Sequence, residues 1–177
     1  MGEIRRTPQV LLILAVFSRH EILFKRIREQ AEHRFGPVAL ESPPFLVDTF
    51  TDYYAAAMGM GLTKTIWAFR DLFDPGELAD VKILTNTWEE NAADTGEFDE
   101  PRPLNLDPGY LDLGKLVLAS TKDHGHRIYL QKGIFAEITL SYTQKKWTAL
   151  PWSYADYQSR DVTQFLEDCR HYLHSVR

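Results

Sequence analysis

The chain has a single cysteine, Cys169, among 177 residues. An internal disulfide framework is impossible, and a Cys-rich zinc site is excluded. It also lacks an excess of basic charge: 20 Lys and Arg stand against 25 Asp and Glu, for a net charge of −5. The basic residues are spread along the chain, so binding to nucleic acid by phosphate neutralisation is not expected. No apolar run approaches the roughly 20 residues that span a bilayer. The run Val10 to Phe17 follows a basic start at Met1–Arg6 and imitates a signal peptide, yet no small-x-small cleavage site comes after it. It reads as a buried strand in a cytoplasmic protein with no membrane partner. Gly-x-Ser-x-Gly, His-Glu-x-x-His and Gly-x-Gly-x-x-Gly are all missing, which leaves ordinary hydrolase, zincin and Rossmann chemistry without support.

What is present describes a globular chain. It is 44% hydrophobic and 12% aromatic, enough apolar side chain to offset the entropy of ordering, and 1–177 is expected to form one domain. Residues 9–17 have the continuous apolar pattern of a central strand covered on both faces. Ser18 and Glu21 have capping-box spacing, and Leu23, Ile27, Ala31 and Phe35 make the stripe of a helix that Gly36-Pro37 ends. Thr63 to Phe73 is strand-like, with Ile66 and Ala68 on one face and Trp67 and Phe69 on the other. Asp74-Pro75-Gly76-Glu77 starts a second helix that buries Leu78, Val81, Thr85 and Trp88. Lys82, Asn86 and Glu90 form a polar stripe beside that face. Further on, His126 to Leu130 and Ile134 to Tyr142 read as a β-hairpin, with a third strand at Lys146–Leu150. Ser159 or Asp161 caps a last helix with the stripe Val162, Phe165, Leu166, Cys169 and Leu173. Cys169 is thus a core residue, since free cysteine packs as a small hydrophobe.

The order of elements favours an α+β fold: a mixed or mainly antiparallel sheet with helices packed on one face of it. A ferredoxin-like split βαβ unit, extended by a C-terminal β-meander and helix, is the candidate core. The segment Asn105-Leu106-Asp107-Pro108-Gly109-Tyr110 is ambiguous. Asp-Pro is a helix-start signal, Asp-Pro-Gly suits a tight turn, and Asp107 can instead hold its carboxylate free for a ligand. The helix-start reading extends to a helix over Leu111–Ser120.

Several stretches together resemble one family. They are Phe50-Thr51-Asp52-Tyr53-Tyr54 with Met58-Gly59, and Asn105-Leu106-Asp107-Pro108-Gly109-Tyr110-Leu111. To these add Lys115-Leu116-Val117-Leu118-Ala119 with Lys122-Asp123, and His126-Arg127-Ile128-Tyr129-Leu130 with Gly133-Ile134. They are similar to the domain-of-unknown-function family numbered four-four-one-six, some of whose members are labelled GTP-binding. The resemblance implies a small single-domain prokaryotic protein and no particular activity. A phosphate-binding P-loop needs glycine-rich backbone after a strand and Lys-Ser/Thr opening a helix. The nearest approach, Gly59-Met60-Gly61-Leu62-Thr63-Lys64-Thr65, has Thr before Lys64 and a strand pattern after it. Thr121-Lys122-Asp123-His124 has its Asp one place too early for a guanine-reading motif.

Three groupings can carry chemistry. His124 and His126, two apart, would point to the same side of a strand about 6.5–7 Å apart at Cα and can share a metal with Asp123 or Asp107. Asp48, Asp52, Tyr53 and Tyr54 form a second polar cluster, in which a carboxylate stands beside phenols and can do general acid–base work. The grouping expected to form a pocket for a small anionic ligand, phosphorylated or a nucleotide, is Asp52, Tyr53, Asp107 and Tyr110 for polar contacts. Lys115, Lys122, His126 and Arg127 would supply charge-assisted donors. The alternative is a non-enzymatic interaction module or homodimer that uses the aromatic segment Trp147–Tyr157. A metal-dependent hydrolase on His124 and His126 is the third reading. The residues name no cofactor and no reaction.

Overall fold

The computed structural model describes residues 2–4 and 6–177; of the basic start at 1–6, Met1 and Arg5 lie outside the described residues. Among the described residues nine strands form one sheet: β1 (Val10–Ser18), β2 (Val38–Glu41), β3 (Phe45–Leu46), β4 (Thr63–Phe73), β5 (Asn105–Asp112), β6 (Lys115–Ser120), β7 (Ile128–Gln131), β8 (Ile134–Thr143) and β9 (Lys146–Ala149). The helices are α1 (Glu21–Phe35), the short α2 (Ala55–Met58), α3 (Leu78–Asp94) and α4 (Arg160–Val176). The strand order is β2-β4-β1-β5-β6-β8-β7, with β3 on β4 and β9 on β8. Each of these pairings is antiparallel.

The first half is a split βαβ unit. β1 and β2, joined by α1, are both antiparallel to β4, which lies between them, so they run parallel to each other. After α3, β5 pairs on the free side of β1. The resulting order β2-β4-β1-β5 is ferredoxin-like. β1 explains why this works. Leu12, Leu14 and Val16 face α1 and α3, where they pack with Leu23, Ile27, Leu78 and Val81. Leu11, Ile13 and Ala15 face the other way, onto Val162, Phe165, Leu166 and Cys169 of α4. Each such fully buried aliphatic side chain contributes about 1.5–3 kcal/mol. Helices confined to one face therefore describe only α1 and α3. The apolar stripe of α4 covers the second face because β1 is apolar on both.

Ser159 caps α4, its Oγ accepting from Val162 N at 3.4 Å. Asp74 accepts from Gly76 N at 2.9 Å and opens a 3-10 turn, Pro75–Glu77, that leads into α3. The β7–β8 hairpin turns through Lys132 (φ 52°) and Gly133 (φ 77°), the pair of positive φ values that two-residue hairpins favour. Ser18 differs from its expected capping role. It remains in β1, its Oγ accepts from His20 N at 3.0 Å and donates to Pro103 O at 2.7 Å, and α1 starts without a side-chain cap.

The largest correction falls on residues 105–120. Asp107-Pro108 starts no helix, and Leu111–Ser120 is not helical: these residues form the β5–β6 hairpin. Leu106 and Leu111 are completely buried against β1, and that tertiary pairing outweighs the local helix-start signal. No helix among the described residues is long and apolar enough to cross a membrane.

Candidate functional site

The β5–β6 ladder is incomplete. It runs from Asp112↔Lys115 to Gly109↔Leu118 and stops there, although β5 continues alongside β1 to Asn105. Pro108 supplies the cause. Leu106, two residues upstream with the same strand orientation, turns its N–H and C=O away from β1. Pro108 faces the same way with no N–H to donate, so the ladder toward β6 ends at its position. Gly109 marks the last close contact. A Cβ there would sit 2.3 Å from the Val117 carbonyl oxygen.

Side chains from α3 take the place of the missing strand partner. Leu106 N donates to Glu89 Oε1 at 2.7 Å, and Lys82 Nζ donates to Leu106 O at 2.7 Å. Around them lies a buried polar network. Lys82 Nζ is 3.6 Å from Asp107 Oδ1 and 3.9 Å from Glu89 Oε1. Arg102 Nη2 donates to Glu89 Oε2 at 3.0 Å and also to Asn105 Oδ1, while Asn105 Nδ2 donates to Asp107 Oδ2 at 2.9 Å. Burial raises the Glu89 carboxyl above the ordinary carboxylate range, although Lys82 and Arg102 pull it down.

The gap opens into a cavity of about 820 Å³, which is within the range of small-molecule sites. Its floor includes Phe17, Tyr157 and an enclosed pair in which Lys64 Nζ donates to Asp156 Oδ2 at 2.6 Å. Lys64 Nζ also lies 4.4 Å from the Tyr157 ring centroid. The β6–β8 side is built around Glu137, whose side chain is 2% exposed. Arg127 Nε donates to Glu137 Oε2 at 2.7 Å, and His126 Nε2 lies 3.0 Å from the same oxygen. Both partners crowd onto Oε2, so Glu137 Oε1 is buried with no hydrogen-bond partner, as is the Tyr157 hydroxyl. Arg127 also donates to Ser120 Oγ at 2.8 Å and to Tyr154 Oη at 3.2 Å. At the mouth, Lys122 Nζ donates to Tyr53 Oη at 3.0 Å, and this bond lowers the Tyr53 phenol from its ordinary value. Tyr54 behaves in the opposite way: burial pushes its phenol up and keeps it neutral.

The fold brings together Tyr53, Asp107, Lys122, Arg127 and His124 in this cavity lining. Asp52, Tyr110, Lys115 and His126 are not part of the lining. Asp52 is exposed and its carbonyl accepts from Ala55 N at 3.0 Å. Tyr110 packs half-buried against the core on the α1/α3 face. Lys115 sits at the far end of the hairpin, opposite Asp112. His126 lies behind Arg127 and stacks on Trp152, with ring centroids 4.9 Å apart. The rings of His124 and His126 stack at 5.8 Å with planes 13° apart. Among the described residues, no group of three or more His, Cys, Asp or Glu is placed to hold a metal ion.

Sequence reasoning missed Lys64, Glu89, Arg102, Glu137 and Asp156 as members of the site. Lys64 carried a signal, because it shares a strand face with the buried Ile66 and Ala68. Glu137 carried none, because Thr139 and Ser141 on its own face are polar as well. Lys82, Asn86 and Glu90 were visible as a polar stripe on α3, and all three line the cavity.

A family model described as Domain of unknown function (DUF4416) matches residues 8–172. The chain belongs to this family. The match takes in every strand and nearly all of α4, so the incomplete β5–β6 ladder and its cavity lie within the family's own extent. No curated protein and no solved structure matches the chain.

Proposed function

We propose that this member of the family binds a small anionic ligand, phosphorylated or a nucleotide, in the cavity at the open end of the β5–β6 ladder. One observation carries the reading. Lys64, Lys82, Arg102, Lys122 and Arg127 all line the cavity, and among the described residues Lys122 is the one of these five with no carboxylate partner. A cation held at a cavity mouth by a phenol is an available charge-assisted donor. Asp107, Tyr53 and Arg127 stand beside it as further polar contacts. A cytoplasmic location belongs to the same proposal, supported by the placement of the leader-like run 10–17 as the central strand.

The test is a thermal-shift screen of the full chain against nucleotides and phosphorylated metabolites. Ligand at 100 times its Kd adds about 2.7 kcal/mol to stability by mass action. In a chain of this size that raises Tm by roughly 5–10 °C. The shift is expected to shrink sharply in Lys122→Ala, whose own stability stays near that of the native chain. If no compound shifts Tm, or if the shift is indifferent to Lys122→Ala, the reading is wrong.

The second reading, an interaction module or homodimer, has its own support. β7 is an edge strand exposed along its whole length, with Ile128, Tyr129 and Leu130 outward. Trp152 and Tyr154 of the Trp147–Tyr157 segment are also exposed. Such edges accept a further strand. Sedimentation of the native chain beside Tyr129→Lys tests it. The metal-dependent hydrolase reading has the least support, since His126 Nε2 is already engaged by Glu137.

A further inference from the structure

The charges around the cavity are not evenly distributed. The wall formed by α3, β5 and the segment between them carries Glu89, Glu90 and Asp107 against Lys82 and Arg102, an excess of one negative charge. The wall formed by β6, β8 and their connecting segment carries Lys122 and Arg127 against Glu137, an excess of one positive charge. Lys64 and Asp156 on the floor cancel. Each wall also has one exposed charge without a partner of opposite sign. Lys122 is exposed and has no carboxylate partner, and Glu90 is exposed and has no polar partner among the described residues. Glu90 follows Asn86 and Lys82 at four-residue spacing, so the three form one line down the cavity side of α3. Asp107 adds to the negative wall. Its side chain is 30% exposed, and its contacts to Lys82 and Asn105 leave lone pairs free.

From this we infer that the ligand is bipolar: besides the anionic group directed at Lys122, it carries a protonated amine directed at Glu90 and Asp107. The inference rests on the anion-binding reading of the same cavity and adds the ligand's second charge. A purely anionic ligand would bring its charge toward the carboxylates of α3 and β5 and be opposed there. A ligand with an ammonium at its other end meets an opposite charge on both walls. The phenol of Tyr54, kept protonated by burial, adds no competing negative charge to the lining.

Two probes separate the possibilities: phosphoethanolamine, and propyl phosphate, in which a methyl group replaces the ammonium. Each is titrated into the full chain, with binding followed by NMR. Phosphoethanolamine is expected to bind roughly two- to fivefold more tightly than propyl phosphate, the scale of a partly exposed ion pair. The preference is expected to shrink with added salt. Glu90→Gln, at an exposed position with no partner to lose, is expected to narrow the preference without weakening propyl phosphate, and Lys122→Ala to weaken both probes. Equal affinity for the two probes, or a preference untouched by Glu90→Gln, overturns the bipolar ligand and leaves the anion site standing. Failure of both probes to bind at tens of millimolar overturns the anion site itself.

Discussion

Replacing Lys82 by Met tests whether α3 acts as a substitute strand partner. The Met side chain keeps most of the aliphatic stem, so packing on the sheet changes little. What is lost is the ammonium that donates to Leu106 O at 2.7 Å and lies 3.6 Å from Asp107 and 3.9 Å from Glu89. A buried carbonyl left without a donor costs about 1–3 kcal/mol. Removing one partner of a buried ion pair costs about 3–5 kcal/mol at close range. Here the carboxylates are farther away, and Glu89 keeps Arg102. The ion-pair loss therefore falls below that range, at about 2 kcal/mol, and with about 1 kcal/mol for the carbonyl the total is near 3 kcal/mol. Urea unfolding followed by tryptophan fluorescence should show a lower midpoint with an unchanged slope, since the surface exposed on unfolding is the same. The corresponding fall in Tm is roughly 6–12 °C. The Lys82→Met and Glu89→Gln double-mutant cycle should give a coupling of about 1 kcal/mol or more, as expected for groups in one network. A loss below about 1 kcal/mol for Lys82→Met would mean that Leu106 has another partner, and the substitute-strand account would be refuted.

Two further outcomes are expected. Gly109→Ala places a Cβ 2.3 Å from the Val117 carbonyl oxygen, a backbone atom that cannot swing aside, so the variant should lose about 2–4 kcal/mol or fail to fold, as calorimetry will show. Because burial raises Glu89, the folded state holds its proton more tightly than the unfolded one, and that contribution to stability is lost as pH rises above the ordinary value of 4.5. Stability of the native chain relative to Glu89→Gln should accordingly fall as pH rises above about 4.5, and a difference that is flat or rising with pH there would contradict the burial argument.

The framework of the fold was legible wherever one side-chain pattern decided it. The unbroken run at 10–17 announced a strand covered on both faces, and the stripe Val162 to Leu173 announced α4. Neither pattern revealed that α4 would supply the second cover, because a stripe does not name the face it meets. Asn105–Asp112 was misread because Asp-Pro is a strong local signal and its competitor, pairing with β1, is a contact across about ninety positions of chain. The site was legible only in part. Tyr53, Lys122 and Arg127 stood out as polar residues in or beside aromatic and apolar stretches. Glu89 and Asp156 did not, because what makes them distinctive is a partner far away in the chain, Leu106 for one and Lys64 for the other.

Most of the sheet is held by bonds between one backbone and another, which no exchange of side chain can delete short of proline. At Leu106 the two bonds that would belong to a neighbouring strand end instead on Glu89 and Lys82. There two point substitutions are enough to remove both bonds, while β5 stays paired with β1 on its other side. The same helix presents Asn86 and Glu90 to the cavity, so one element both lines the cavity and completes the bonding of the strand at the middle of the sheet path.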